Sequence, residues 1–178
     1  LAGETDCVIT CGGVSVGEED HVRTQILARG QLDLWKLAIK PGKPLAFGTI
    51  RQTPVFGLPG NPVSAWATFA LVVKPWLMRA QGAELVPPRR YPVIADFDIT
   101  RPGNREEYLR VELHESVGAS NGRGERWTAR LAGDQSSGVL SSVSRCDGLA
   151  IIPIGQTVSA GDVVEVLLMP SLLHPSAG

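Results

Sequence analysis

A proline-rich segment, residues 84–92, divides this chain of 178 residues into two parts with different sequence patterns. Before it, short apolar runs of strand type alternate with helical patterns; after it come only short β-type runs separated by Gly, Asn, Ser and Pro. The segment itself has the composition of a linker. The sequence therefore predicts an α/β domain at residues 1–84, a linker at 85–91, and a small all-β, barrel-like domain at 92–178.

Composition and charge limit the classes of function. Hydrophobic residues make up 43% and charged residues 20% of the chain, and the formal net charge is -1. Because long runs of like charge are missing, neither a nucleic-acid-binding face nor an anionic-membrane face is expected, and any anion site must be local. The longest apolar stretch, residues 63–78, is broken by Lys74 and Pro75, so a bilayer-spanning segment is not expected either.

The cysteines and the start of the chain indicate the cellular context. Cys7, Cys11 and Cys146 match neither a disulfide framework nor a zinc-ligand spacing, so reduced thiols in a cytoplasmic protein are expected. The first residues do not resemble a signal peptide. Since the chain begins with Leu1 and runs directly into an apolar strand, we expect it to be a fragment of a longer protein.

The first candidate site is a glycine-rich stretch, residues 12–17, which lies between an apolar run and a helical pattern that Gly30 is predicted to end. Its glycines would let the backbone approach a bulky anion, and Ser15 adds a hydroxyl donor near a helix start, so a phosphate fits there. An ordinary βα turn without a ligand explains the glycines equally well. Asp20, which follows, could hold Mg²⁺ beside a phosphate, although acids in a first helical turn also complement the helix dipole.

The second candidate is a group of three lysines around a Pro-Gly turn. Apolar and polar residues alternate over residues 34–39, so Lys36 and Lys40 should share one face, and Lys43 follows the turn. Lysines on a sheet face are usually only solvated. Here the apolar neighbours and the rigid turn predict that the three ammonium groups converge on a compact oxyanion.

The third candidate, residues 59–64, is another turn between a strand and a helix. Asn61 suits the N-cap and Pro62 the first helical position, which by itself would explain the sequence. A buried helix is expected over residues 62–80, with a bend at Pro75. Two helix starts that carry glycines on either side of a lysine-rich turn favour one extended anionic ligand over three unrelated features.

These three motifs, residues 11–20, 35–44 and 57–65, closely resemble the MoeA and gephyrin E-domain family of molybdopterin molybdenumtransferases. The likeness continues more thinly at residues 133–142 and 148–153. The resemblance implies part of a MogA-like molybdopterin-binding α/β domain followed by the family's small β domain. It also implies a reaction in which molybdate enters adenylylated molybdopterin and AMP is released, with Mg²⁺ or a similar divalent cation.

The resemblance further implies roles for single residues. Asp20, Lys36 and Lys40 correspond to catalytic positions, and Asp20 also to the metal ligand. The residues predicted from the motifs or the resemblance to bind the pterin phosphate, the nucleotide and molybdate are Gly12, Gly13, Ser15, Lys43, Pro44, Pro59, Gly60, Asn61, Ser64, Arg110 and Ser137. The implied partners are molybdopterin-AMP, molybdate, a MogA-like adenylyltransferase, and a second copy in a homodimer of the full-length protein.

Two alternatives stay open. The family's N-terminal domains and the first βαβ portion of its molybdopterin-binding domain do not precede Cys7, so the chain could be a non-catalytic pterin-binding or scaffold fragment with an exposed sheet edge. A MogA-like adenylyltransferase shares the Gly-Gly loop. It is disfavoured by the Lys-Pro-Gly-Lys-Pro sequence and by the β domain.

Overall fold

The computed structural model describes residues 3–12, 21–115 and 127–173. The chain forms two compact units, Leu1–Gln81 and Gly82–Gly178. Strands predominate and the helices are short, so the prediction of a mixed α/β protein is confirmed at that level. None of the helices in the described part of the chain is long and apolar enough to cross a membrane.

The first unit is built on a four-stranded mixed sheet with helices. Its described elements are, in order, β1 (Val8–Cys11), α1 (His21–Leu27), β2 (Gly30–Lys36), β3 (Ile39–Lys40), β4 (Pro44–Ile50), β5 (Thr53–Leu58), α2 (Pro62–Thr68) and α3 (Lys74–Ala80). The sheet has the strand order β1-β5-β4-β2, in which β1 is an edge strand parallel to β5 and the other pairs are antiparallel. Phe56 lies at the centre of its core, 4.9 Å from the ring of Phe47 and 5.0 Å from that of Trp76.

Two glycines allow β2 and β4 to approach each other closely. A side chain at Gly30 would place its Cβ 1.8 Å from the carbonyl oxygen of Thr49, and one at Gly48 would lie 2.0 Å from that of Gln31. The prediction that Gly30 ends the first helix is wrong, because α1 ends at Leu27 and Gly30 is the first residue of β2. Glycine is needed there for strand contact and not for a helix cap.

The helix predicted over residues 62–80 consists of three segments. A π-helical segment, Phe69–Val73, joins α2 to α3, and the N–H of Lys74 donates to the carbonyl of Phe69. Pro75 cannot donate a backbone hydrogen bond, and its ring would clash with the carbonyl four residues earlier, so the backbone widens just before it. The predicted burial is only partial: four residues of α2 and two of the π segment are buried, whereas α3 contains no buried residue.

The second unit is a small barrel with short helices. Its described elements are β6 (Arg90–Ala95), β7 (Glu106–Glu115), β8 (Trp127–Leu131), α4 (Ser141–Arg145), β9 (Gly148–Ile152), β10 (Val163–Leu168) and α5 (Met169–Leu173). Strands β6, β10, β9, β7 and β8 pair in that cyclic order, and β8 closes the ring by pairing in parallel with β6. Each of the five strands therefore pairs with two others of the ring. Apolar side chains such as Val111, Ala129 and Val166 fill the interior.

The close approach of β2 and β4 predicts the effect of a small substitution. Gly48→Ala should lower the free energy of unfolding by roughly 3 kcal/mol, because the added methyl group meets backbone atoms that cannot move without displacing a strand. Gly3→Ala is the matched control, since a Cβ at Gly3 has nothing within 4 Å. Urea unfolding followed by circular dichroism measures both, and equal stability of the two variants would contradict the proposed contact.

Candidate phosphate and oxyanion site

The parallel pairing of β1 with β5 brings the first and third motifs together. The two strands end opposite each other at Cys11 and Leu58, and the N–H of Gly12 donates to the carbonyl of Leu58 at 3.0 Å. A Cβ built on Gly12 would lie 3.7 Å from the Cα of Gly60, and a Cβ built on Gly60 would lie 3.9 Å from the Cα of Gly12. The two glycine-bearing turns therefore lie side by side, with room for about one methyl group between them.

The backbone explains glycine at position 12 but not at position 60. Gly12 has φ +77°, a left-handed backbone conformation that residues with a side chain rarely adopt. Gly60 is exposed, and a Cβ there would touch nothing closer than the Cα of Gly12, so the described fold does not require glycine at this position. Close approach of a ligand to the backbone is a reason that remains for Gly60.

The helix that follows Gly60 begins as predicted. Asn61 occupies the N-cap in an extended conformation, Pro62 is the first helical residue, and the carbonyl of Asn61 accepts a hydrogen bond from the N–H of Ala65 at 2.8 Å. Pro59, just before Gly60, is buried. Ser64 is also buried and lies in the first turn of α2.

The three lysines lie on or next to a loop whose two ends are joined by backbone pairing. Lys36 pairs with Pro44 at the end of the β2–β4 ladder, and the N–H of Leu37 donates to the carbonyl of Lys43 at 2.7 Å. The backbone positions of Lys36 and Lys43 are thus close together.

Along this loop the predicted alternation is confirmed. From Lys36 to Lys40 the lysines and Ala38 are exposed, whereas Leu37 and Ile39 are half-buried. The predicted continuous strand is interrupted, however, because β2 ends at Lys36 and the two-residue β3 begins only at Ile39. Lys43 is exposed as well, so all three ammonium-bearing side chains are on the surface of the unit.

The tip of the lysine loop is anchored on helix α2. The Lys40–Pro41 peptide bond is cis, and Gly42 has φ +117°. A Cβ at Gly42 would lie 2.6 Å from Oγ1 of Thr68, a fully buried residue of α2 whose hydroxyl has no hydrogen-bond partner among the described residues. The lysine loop therefore contacts Thr68 at the end of the helix that begins after the Gly60 turn.

The second unit contributes a buried guanidinium. Arg110 of β7 is only 1% exposed, and its Nη2 donates to the carbonyls of Asp134 and Ser136 at 3.1 and 3.2 Å. Nε of Arg110 has no hydrogen-bond partner in the described part of the chain. Burial lowers the pKa of Arg110, yet an arginine stays charged at neutral pH. Ser137, half-buried, follows in the same loop.

A buried thiol accompanies this guanidinium. Cys146 donates to the carbonyl of Val143 at 3.3 Å, and burial raises the pKa of its thiol, while the positive charge of Arg110 opposes that rise. Arginines in strands are usually exposed, so the sequence pattern alone does not single out Arg110. Its burial depends on carbonyls that come from more than twenty residues further along the chain.

Two family models match almost the whole chain between them. A probable molybdopterin binding domain matches residues 1–79, and the MoeA C-terminal region (domain IV) matches residues 92–169. The chain belongs to the MoeA family. The second match covers the barrel strands and Arg110, and the first covers all three glycine- and lysine-containing motifs.

Curated relatives and a solved structure agree with this membership. The molybdopterin molybdenumtransferase of Haemophilus influenzae is 43% identical in a match that covers 60% of this chain and 27% of the relative. That of Nostoc is 34% identical in a match that covers 93% of this chain and 38% of the relative. A molybdopterin biosynthesis MoeA protein from Pyrococcus horikoshii matches with a TM-score of 0.66 and 30% identity, over 93% of this chain and 38% of that one. The chain thus spans well under half the length of these MoeA relatives.

Part of the predicted site of this MoeA-family chain lies outside the described residues. Gly13, Ser15 and Asp20 belong to residues 13–20, which the structure does not describe. Within residues 3–12, 21–115 and 127–173, no three His, Cys, Asp or Glu side chains are grouped so that they could hold a metal ion. The assignment of Mg²⁺ to Asp20 therefore stays a prediction.

The contact between Gly42 and Thr68 can be tested with a double-mutant cycle. Gly42→Ala should destabilise the chain by roughly 2 to 4 kcal/mol, because alanine is strained at this φ and its methyl group would overlap Oγ1 of Thr68. Combining it with Thr68→Ala should cost about 1 kcal/mol less than the sum of the two single changes. Strict additivity in chemical denaturation would show that the turn does not rest on α2.

Proposed function

We propose that this chain is the part of a molybdopterin molybdenumtransferase that inserts molybdate into adenylylated molybdopterin and releases AMP. The observation that carries the proposal is the contact between the Gly12 and Gly60 turns, together with a lysine loop anchored on the helix that Gly60 precedes. Such a surface combines backbone donors without side-chain bulk and concentrated positive charge. Both properties suit a ligand that carries phosphate groups and a small oxyanion.

The two units correspond to separate domains in the proposed function. Residues 1–84 are the C-terminal part of a MogA-like molybdopterin-binding α/β domain, and residues 92–178 are a β-barrel-like C-terminal domain. The linker predicted at residues 85–91 ends earlier, because Arg90 and Tyr91 belong to β6 and pair with β10. The positions of the two family matches support this division. The closed strand order of the second unit supports the barrel assignment.

The glycine turns bind the phosphate end of the pterin substrate. Gly12, Gly13 and Gly60 leave space for phosphate oxygens at the backbone, and Ser15 adds a hydroxyl donor. Pro59 and Asn61 hold the second turn at the start of α2. Because the two turns lie side by side, one phosphorylated ligand can reach the backbone of both.

The lysine loop supplies the charge that the reaction needs. Cleavage of the adenylyl bond leaves additional negative charge on AMP, which Lys36 and Lys40 stabilise as catalytic residues. Molybdate is a dianion that needs several donors to replace its water, and Lys43, Pro44 and Ser64 line its position in the first unit. No covalent intermediate with the protein is required.

In the second unit, Arg110 and Ser137 provide a guanidinium and a hydroxyl for an oxyanion. A buried arginine with an unpaired Nε–H is costly unless an anion completes its hydrogen bonds, which supports this role. Asp20 would hold Mg²⁺ or a similar cation together with phosphate oxygens of the substrate. When bound, the ion would neutralise charge on the pyrophosphate group.

The wider context is proposed from the same family membership. A MogA-like adenylyltransferase would supply the adenylylated molybdopterin, and the full-length protein would act as a homodimer in the cytoplasm. The three cysteines, which form no disulfide, are compatible with a reducing compartment.

The reaction itself is tested by incubating the chain with adenylylated molybdopterin, Mg²⁺ and molybdate and measuring AMP. Molybdate-dependent AMP release is expected, and Lys40→Ala and Lys43→Ala should each reduce its rate by about tenfold or more, because Lys40 stabilises the charge on AMP and Lys43 holds molybdate. Lys74→Ala in α3 is the matched control and should keep the rate. Binding of the substrate without AMP release would support a non-catalytic pterin-binding fragment instead.

A substitution at Gly60 distinguishes an effect on ligand binding from an effect on folding. Gly60→Ala should change the free energy of unfolding by no more than about 0.5 kcal/mol, because its Cβ meets only open space and an ordinary contact with Gly12. The same methyl group should weaken binding of adenylylated molybdopterin by about tenfold or more, or about 1.4 kcal/mol. Calorimetric titration with Gly3→Ala as the control measures this, and unchanged affinity would exclude the Gly60 turn from the site.

A further inference from the structure

One glutamine side chain binds both backbone polar groups of Arg110. Oε1 of Gln135 accepts a hydrogen bond from the Arg110 N–H at 2.9 Å, and its Nε2 donates to the Arg110 carbonyl at 3.0 Å. Nε2 also lies 3.4 Å from the carbonyl of Gly133. The side-chain amide therefore occupies a place beside β7 that a neighbouring strand would otherwise take.

This arrangement follows from where β8 ends. The strand stops at Leu131, and the N–H of Ala132 makes a last backbone hydrogen bond to the Arg110 carbonyl at 2.8 Å. The chain then turns away at Gly133, which has φ +60°. Gln135 reaches back to pair with Arg110 and keeps the loop against β7.

The carbonyls on either side of Gln135 hold the guanidinium. Nη2 of Arg110 donates to the carbonyls of Asp134 and Ser136, the residues before and after Gln135. Oδ1 of Asp134 accepts the N–H of Ser136 at 2.7 Å, which fixes the turn between them. The amide of Gln135 thus sets the position of the two carbonyls that orient the Arg110 side chain.

The Arg110 guanidinium is therefore hydrogen-bonded at Nη2 and, within the described part of the chain, unpaired at Nε. Two carbonyls take up Nη2, while Nε has no hydrogen-bond partner among the described residues although Arg110 is buried. An unpaired N–H on a buried cation is costly unless an anion binds it. We propose that Gln135 is a positioning residue that fixes the Arg110 guanidinium so that its Nε–H points at a bound oxyanion.

This inference rests on the proposed function, because it assumes that Arg110 binds molybdate. Gln135 acts through Arg110 and is not itself a catalytic residue. A glutamine that only stabilised the barrel would affect unfolding without changing how freely the guanidinium rotates. Fixing a charged donor before the ligand arrives strengthens binding, since less motion is lost when the complex forms.

The test uses nitrogen-15 NMR signals of the Arg110 guanidinium in the full chain, titrated with molybdate. In the wild type we expect resolved Nη2–H signals, because two carbonyls hinder rotation, and a shift of the Nε–H signal that saturates with molybdate. In Gln135→Met, which keeps side-chain length but loses the hydrogen bonds, the Nη2–H signals should merge. The molybdate concentration at half-saturation should rise by about tenfold, the lower end of what loss of an outer supporting group typically costs.

Gln156→Met, at an exposed glutamine of the same unit, is the control and should behave like the wild type. Wild-type affinity together with resolved Nη2–H signals in Gln135→Met would overturn the inference. If that variant does not fold, Gln135→Asn is measured in its place, because its shorter amide cannot reach both backbone groups of Arg110. The same two results, merged Nη2–H signals and weaker molybdate binding, are expected for it. A wild-type Nε–H signal that does not respond to molybdate would instead refute the oxyanion role of Arg110 in the proposed function.

Discussion

The parallel pairing of β1 with β5 is the contact on which the candidate site depends. Because both strands end at the same level, the residues that follow them, around Gly12 and Gly60, emerge side by side. A shift of β1 by one residue would separate the two turns and send the side chains of β1 to the opposite face. The core around Phe56 on β5 holds the register, so the packing of the sheet interior determines the geometry of the surface site.

In each unit, backbone or buried atoms hold the segment that carries the positive groups of the candidate site. In the first unit, the lysine loop is closed by a backbone hydrogen bond and its Gly42 rests on Thr68. In the second unit, carbonyl oxygens and the amide of Gln135 hold Arg110. Such contacts fix the position of a charge without neutralising it, which is what an anion-binding site requires.

The sequence predicted features that depend on local geometry. The alternation from Lys36 to Lys40 and the helix start at Asn61 and Pro62 follow from strand periodicity and from proline's missing N–H, and both are present. Features that depend on distant parts of the chain were not predictable in the same way. The role of Gly30 is set by the carbonyl of Thr49, and the burial of Arg110 by a loop more than twenty residues away.

The central claim is that the glycine turns and the lysine loop of the first unit form one surface for an oxyanion and its phosphorylated partner. Anomalous diffraction at the molybdenum absorption edge, from crystals of the full chain grown with molybdate, tests it most directly. The account predicts a molybdenum peak placed so that its oxygens accept hydrogen bonds from the ammonium group of Lys40 or Lys43, on the side of Gly12 and Gly60. Lysine side chains directed away from both turns, with no molybdenum beside them, would contradict it.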